Sequence, residues 1–193
     1  VKPWTVAELG PYRYGEPVSK NEARTRLGIS GSGKVLSYLG TARQNRNPLA
    51  AVDAFLKTAG NDDYLLVAGM GVAICLQLHQ MDQRLLVYDG MIPPAKYRDL
   101  LCASDFVIND GECYLTSAVV RAAMSYGVPV IVRPYGSAID MARGAAILIG
   151  HEGVAGAIFK ALHIDQHKYQ GLQAAARLRD SERSWELSGR KLD

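Results

Sequence analysis

The sequence has little of what marks a secreted, membrane-spanning or metal-centred protein. Only three cysteines occur among 193 residues, Cys75, Cys102 and Cys113. Odd in number and without C-x-x-C or Cys/His spacing, they give no basis for a disulfide framework or a zinc site, and they read as reduced, buried thiols. No apolar run approaches the roughly 20 residues that cross a bilayer. The opening VKPWTVAELG has neither a basic nor an apolar leader region, so a cytoplasmic chain is expected. Of the four histidines, only His163 and His167 stand four apart, and no third ligand accompanies them; no metal is expected. The P-loop, the full G-x-G-x-x-G fingerprint and the G-x-S-x-G elbow are all missing. A formal charge of +3 with no basic run interleaved with aromatics gives no nucleic-acid partner; any anion must be bound locally.

What is present is regular alternation. Residues 1–17 carry Pro3, Gly10, Pro11, Gly15 and Pro17 without a sustained period, and read as an irregular, poorly anchored lead-in. Ser19 to Glu22 is a capping box that opens a short helix ended by Gly28. Apolar strands then follow at 34–40, 64–69, 84–90, 105–110, 128–133 and 145–150. Helical segments lie between them, near 47–59, 72–80, 94–103, 115–127 and 137–142. The tail is helical only, to about Leu162, from Asp165 to Arg179, and from Ser181 onward. Six short strands alternating with helices predict one α/β domain, a Rossmann-like doubly wound parallel sheet with a helical C-terminal tail, spanning 18–193.

In such a sheet ligands bind beyond the carboxyl ends of the strands. The unusual residues concentrate there. Gly40, Arg43 and Arg46 follow the first strand, Gly69 and Gly71 the second, and Asp89 to Pro94 the third. Asn109 to Ser117, with Glu112 and the Thr116-Ser117 pair, follow the fourth, and Arg133 to Ser137 the fifth. Glycine turns, free amides at helix starts and several arginines together suit phosphate groups. Gly69-Met-Gly71 reads equally as a tight turn or a cradle. Ser117 and Thr116 read as a helix cap, as phosphate ligands, or as both. Glu112 reads as a solvated loop charge or as an acceptor for sugar hydroxyls.

Taken in order, these pieces resemble the C-terminal, nucleotide-sugar-binding domain of a GT-B glycosyltransferase, in the broad group of family 4. The glycine, Arg and second basic residue that hold the donor diphosphate in that family are matched by Gly40, Arg43 and Arg46. Its second-strand turn is similar to the stretch ending in Gly69 and Gly71. Its base-reading stretch is similar to Val87 to Pro94, with Met91 and Ile92 in the reading positions. AAMSYGVPVI at 122–131 is close to the family's "EAMA-G-PVI" block, and SERSWELSGRKL, with Trp185, resembles its closing helix.

The chain also departs from that pattern. The paired glutamates of many retaining members fall on Tyr114 and Ala122, and Glu112 lies two residues early. Tyr114-Leu115-Thr116-Ser117 is similar instead to a sub-group with "LTS" opening this helix, which implies phosphates served by helix amides and hydroxyls. The resemblance implies donor binding by Gly40, Arg43, Arg46, Gly69, Gly71, Met91, Ile92, Tyr114, Leu115, Thr116 and Ser117. Arg43, Arg46 and Glu112 are the candidates for catalysis. It further implies a nucleotide-sugar as substrate, no cofactor, metal-independent transfer, and an acceptor domain N-terminal to this one, in cis or in trans. Peripheral association with the inner face of a membrane would come through that other half. A non-catalytic scaffold of the same fold, or half of a GT-B-type sugar-nucleotide epimerase, are the competing readings.

Overall fold

The computed structural model describes residues 10–43, 45–74, 82–111 and 117–182. Six strands form a single parallel sheet: β1 (Val35–Leu39), β2 (Tyr64–Gly69), β3 (Leu85–Asp89), β4 (Phe106–Asn109), β5 (Val130–Val132) and β6 (Ala146–Leu148). Their order is β3-β2-β1-β4-β5-β6. Seven described helices accompany them: α1 (Lys20–Arg26), α2 (Pro48–Thr58), α3 (Pro94–Ala103), α4 (Ala118–Ser125), α5 (Ser137–Met141), α6 (Gly153–Leu162) and α7 (Gln166–Ser181). The sequence expectation of a doubly wound α/β domain with a helical tail holds.

Side chains alternate across the sheet, and the two faces have separate cores. Val35, Leu39, Leu66, Ala68 and Val107 pack under α1, α3 and α4, while Leu36, Tyr38, Leu65, Val67 and Ile108 pack under α2 and α6. Every residue of β1 is buried, as expected for a central strand covered on both sides. Caps set the helix starts. Ser19 accepts from the Glu22 amide at 3.2 Å as the capping box predicts, although the Glu22 carboxylate pairs with Arg26 at 2.5 Å. Pro94 opens α3 at its first position, where a missing amide hydrogen costs nothing.

Two expectations change. The described part of the lead-in is well tied: the Gly10 carbonyl accepts from fully buried Arg121 at 3.0 Å, and the Tyr12 amide donates to Ser125 at 3.1 Å. The Tyr126 hydroxyl accepts from the Tyr14 amide at 2.7 Å and donates to the Gly15 carbonyl at 2.8 Å. These long-range bonds give a proline- and glycine-rich stretch an order that its local sequence does not. The fourth-strand helix is also shorter than 115–127, running from Ala118 to Ser125. The helix expected near 72–80 falls mostly, and the one after Ser181 almost entirely, outside the described residues, as do Cys75 and Cys113. Cys102 is a buried free thiol, with burial pushing its pKa up. No described helix is long and apolar enough to cross a membrane.

Candidate donor crevice at the switch point

The strand order reverses direction between β1 and β4, so the connections leaving these two neighbours diverge and open a crevice at their carboxyl ends. A cavity of about 260 Å³ lies there. Gly40, Arg43 and Arg46 line one side, and Asn109, Gly111 and Ser117 line the other. The sequence placed these two groups on different loops. Pairing of β1 with β4 brings them together.

The first wall is built by a tight turn. The Arg46 amide donates to the Arg43 carbonyl at 2.9 Å, which returns the chain so that both side chains stay at the strand end. Arg43 is exposed. Arg46 folds inward: its Nη2 donates to the Leu39 carbonyl at 2.9 Å, and its guanidinium carbon lies 5.0 Å from the centre of the Tyr38 ring. Gly40 has a φ of 115°, a conformation that favours glycine, and a Cβ there would displace the end of the Arg46 side chain. Arg46 Nε is buried with no acceptor among the described residues. Buried donors are rarely left so, and an orphaned charged one suits an incoming anion.

The second wall is the start of α4. Ser117 caps it, accepting from the Val120 amide at 3.4 Å and from Asn109 Nδ2 at 2.9 Å. The amides of the first turn face the crevice with the positive end of the helix dipole. Beneath the cavity, Tyr38 donates to the buried Asp110 carboxylate at 2.7 Å, and Arg133 Nε donates to the Asp110 carbonyl at 2.7 Å. Burial, and then the Asp110 charge, push the Tyr38 pKa well above its ordinary value, so the phenol keeps its proton.

Solved structures share this architecture. Sucrose-phosphate synthase from Thermosynechococcus elongatus superposes with a TM-score of 0.78 at 18% identity, over 95% of this chain and 49% of that one. Anabaena HepE, crystallised with UDP and glucose, gives 0.74 at 16% identity over 94% and 54%. The C-terminal domain of LpcC, a glycosyl transferase group 1 family protein from Francisella tularensis, gives 0.70 at 14% over 86% and 93%. The fold is that of one half of a GT-B glycosyltransferase. The chain spans about half the length of the first two neighbours, and nearly all of the C-terminal domain. No protein-family model and no curated protein matches the sequence.

Within this fold, the expected site residues separate into four groups. Gly40, Arg43, Arg46 and Ser117 line the crevice. Gly69 and Gly71 lie off it and brace the β1 loop: a Cβ on Gly69 would run into the Gly40 carbonyl, and the Ala42 amide donates to the Met70 carbonyl at 2.9 Å. Met91 and Ile92 follow β3, beyond β2 from β1; Met91 is 89% exposed, while Ile92 packs on the core. Glu112, Tyr114, Leu115 and Thr116 lie outside the described residues. Asn109, Asp110 and Arg133 are placed at the ligand edge by the sequence without individual roles, and Tyr38 is not singled out by it. The signal available was the polar pair Asn109-Asp110 ending an otherwise apolar strand.

A larger cavity, about 380 Å³, lies at the amino ends of the strands between α4 and α7. Of its charged lining, Lys20 is engaged with Asp105 and Asp180 with Arg13, both at 2.7 Å.

Proposed function

We propose that this chain is the donor-binding half of a glycosyltransferase. It holds a UDP- or GDP-sugar in the crevice between β1 and β4, for transfer to a glycan, lipid or other acceptor presented by an N-terminal domain in cis or in trans. One observation carries the reading: Arg43 and Arg46, the latter with a buried donor that has no acceptor among the described residues, face the α4 N-terminus across a cavity at the switch point. Solved neighbours of this fold that hold UDP and UDP-glucose add support.

The chemistry follows from charge. As the bond from sugar to diphosphate breaks, negative charge grows on the leaving group. Arg43, Arg46 and the first amides of α4 are fixed donors aimed at that region, supplying what a metal ion supplies in other transferases. Losing one such contact raises the barrier by about 2–4 kcal/mol, roughly 30- to 1,000-fold in rate. Acceptor binding and any general base belong to the other half, so the chain alone binds donor and transfers little.

Thermal shift with UDP, GDP and their sugars tests the reading. A nucleotide at 100 times its Kd stabilises the folded state by about 2.7 kcal/mol, a rise of roughly 5–10 °C for a domain of this size. Arg43→Ala/Arg46→Ala should abolish that rise. No nucleotide effect on the wild type would sink donor binding and favour the scaffold reading. Turnover with and without an added N-terminal half then separates an incomplete transferase from a self-sufficient enzyme.

A further inference from the structure

We propose that Tyr38 is a positioning residue for Arg46: its ring supports the guanidinium, while its hydroxyl occupies the Asp110 carboxylate and keeps that charge from neutralising Arg46. The inference rests on the donor-binding reading of the crevice. It concerns how an anion site stays cationic when its arginine shares a tyrosine neighbour with a buried carboxylate.

The geometry presents that problem directly. Asp110 is only 6% exposed and Tyr38 is fully buried, so the attraction between Asp110 and a nearby guanidinium is little screened. Yet Arg46 makes no ion pair among the described residues; its Nη2 goes to the Leu39 carbonyl and its Nε has no acceptor. Tyr38 stands in contact with both groups. Arg46 lies 5.0 Å from the ring centre, and the phenol donates to Asp110 Oδ1 at 2.7 Å. A hydroxyl bonded to an ionised acceptor is a strong, short contact that holds the carboxylate in place. Arg133, donating to the Asp110 carbonyl at 2.7 Å, fixes the backbone of the same residue, so Asp110 is held from two directions. Arg46 and Asp110 thus share Tyr38 as a neighbour and make no ion pair with each other.

Removal of the hydroxyl alone separates this arrangement from simple packing. Tyr38→Phe keeps the ring under Arg46 and releases Asp110, which can then turn to the guanidinium. Asp110→Asn removes the competing charge. Isothermal titration of UDP and GDP against the 193-residue chain, with folding checked by circular dichroism, gives the readout. Tyr38→Phe is expected to weaken nucleotide binding by about tenfold or more. Asp110→Asn is expected to bind within about threefold of wild type or tighter, and Tyr38→Phe/Asp110→Asn to recover to within about threefold. A merely structural tyrosine would give losses that add in the double variant, not losses that cancel.

Unchanged affinity in Tyr38→Phe, or a double variant as weak as Tyr38→Phe, overturns the inference while leaving donor binding intact. A wild type that binds neither nucleotide overturns the donor reading and this inference with it. If Tyr38→Phe does not fold, Asp110→Asn decides by itself: a loss of about tenfold or more would show that the carboxylate serves the site and would overturn the proposal.

Discussion

The two ends of the sheet treat buried charge in opposite ways. At the amino end, Asp105, 4% exposed, is saturated: Lys20 and Arg24 reach it at 2.7 Å, the Tyr169 hydroxyl at 2.8 Å and the Val35 amide at 2.7 Å. At the carboxyl end, Arg43 is exposed, and Arg46 keeps a buried donor without an acceptor among the described residues. Both clusters join elements distant in sequence around a central strand. One closes on itself and the other is left open toward a cavity. A closed network stabilises the fold, whereas an open one carries the cost of an unmet donor until a partner meets it.

The largest effect should come from opening the closed end. Asp105→Ala leaves Lys20, Arg24 and the Tyr169 hydroxyl without their shared acceptor, and breaking a buried pair in this way costs about 3–5 kcal/mol. Urea denaturation should show that loss, with the slope unchanged. Acid does the same by protonation. Burial works to raise the Asp105 pKa, but Lys20, the Val35 amide and Arg24 prevail and hold it below its ordinary value. A depressed carboxylate stabilises the fold fully above its unfolded pKa, near 3.9, and that contribution is lost as pH falls through the lower folded value. Stability measured from pH 6 downward should therefore fall below about pH 4 in the wild type, and with a shallower slope in Asp105→Ala.

A smaller effect tests what braces the open end. Gly69 has a φ of 145°, and a Cβ there would run into the Gly40 carbonyl. Gly69→Ala should cost about 1–3 kcal/mol by forcing the β1 and β2 loops apart. It should weaken nucleotide binding too, because the displaced loop carries Arg43 and Arg46. Nucleotide titration of the folded variant checks this: unaltered affinity would detach Gly69 from the site and leave it a packing residue.

What could be read from sequence follows the same division between local and distant. Strands appeared because apolar runs such as YLLVAG are bounded by turn residues, and the placement of Arg43 and Arg46 followed from one local fact, that they come just after a strand. Ser117 as a cap was legible for the same reason. The Asp105 network was not, since Lys20, Arg24 and Tyr169 meet it across 85, 81 and 64 residues. Nor was the Tyr38–Asp110 pair, 72 residues apart, which requires β1 to lie beside β4. The lead-in misled for a related reason. The prolines and glycines of residues 10–17 predict looseness locally, whereas partners distant in sequence hold them: Arg121 and Ser125 on α4, Tyr126 just after it, and Asp180 on α7.

The smallest effect on stability gives the sharpest form of the comparison. Arg43 is exposed, and substitutions at such positions usually change stability little, so Arg43→Ala should melt within about 1–2 °C of the wild type. Were it one more surface charge, nucleotide binding would be equally indifferent. On the crevice reading it loses a charge-assisted contact to the diphosphate, and affinity should fall by roughly tenfold or more. Raised ionic strength should weaken wild-type binding more than binding by Arg43→Ala, because an exposed cation acts through screened charge. A variant that melts normally, binds poorly and has lost part of its salt dependence would identify Arg43 as belonging to the open end by function rather than by position.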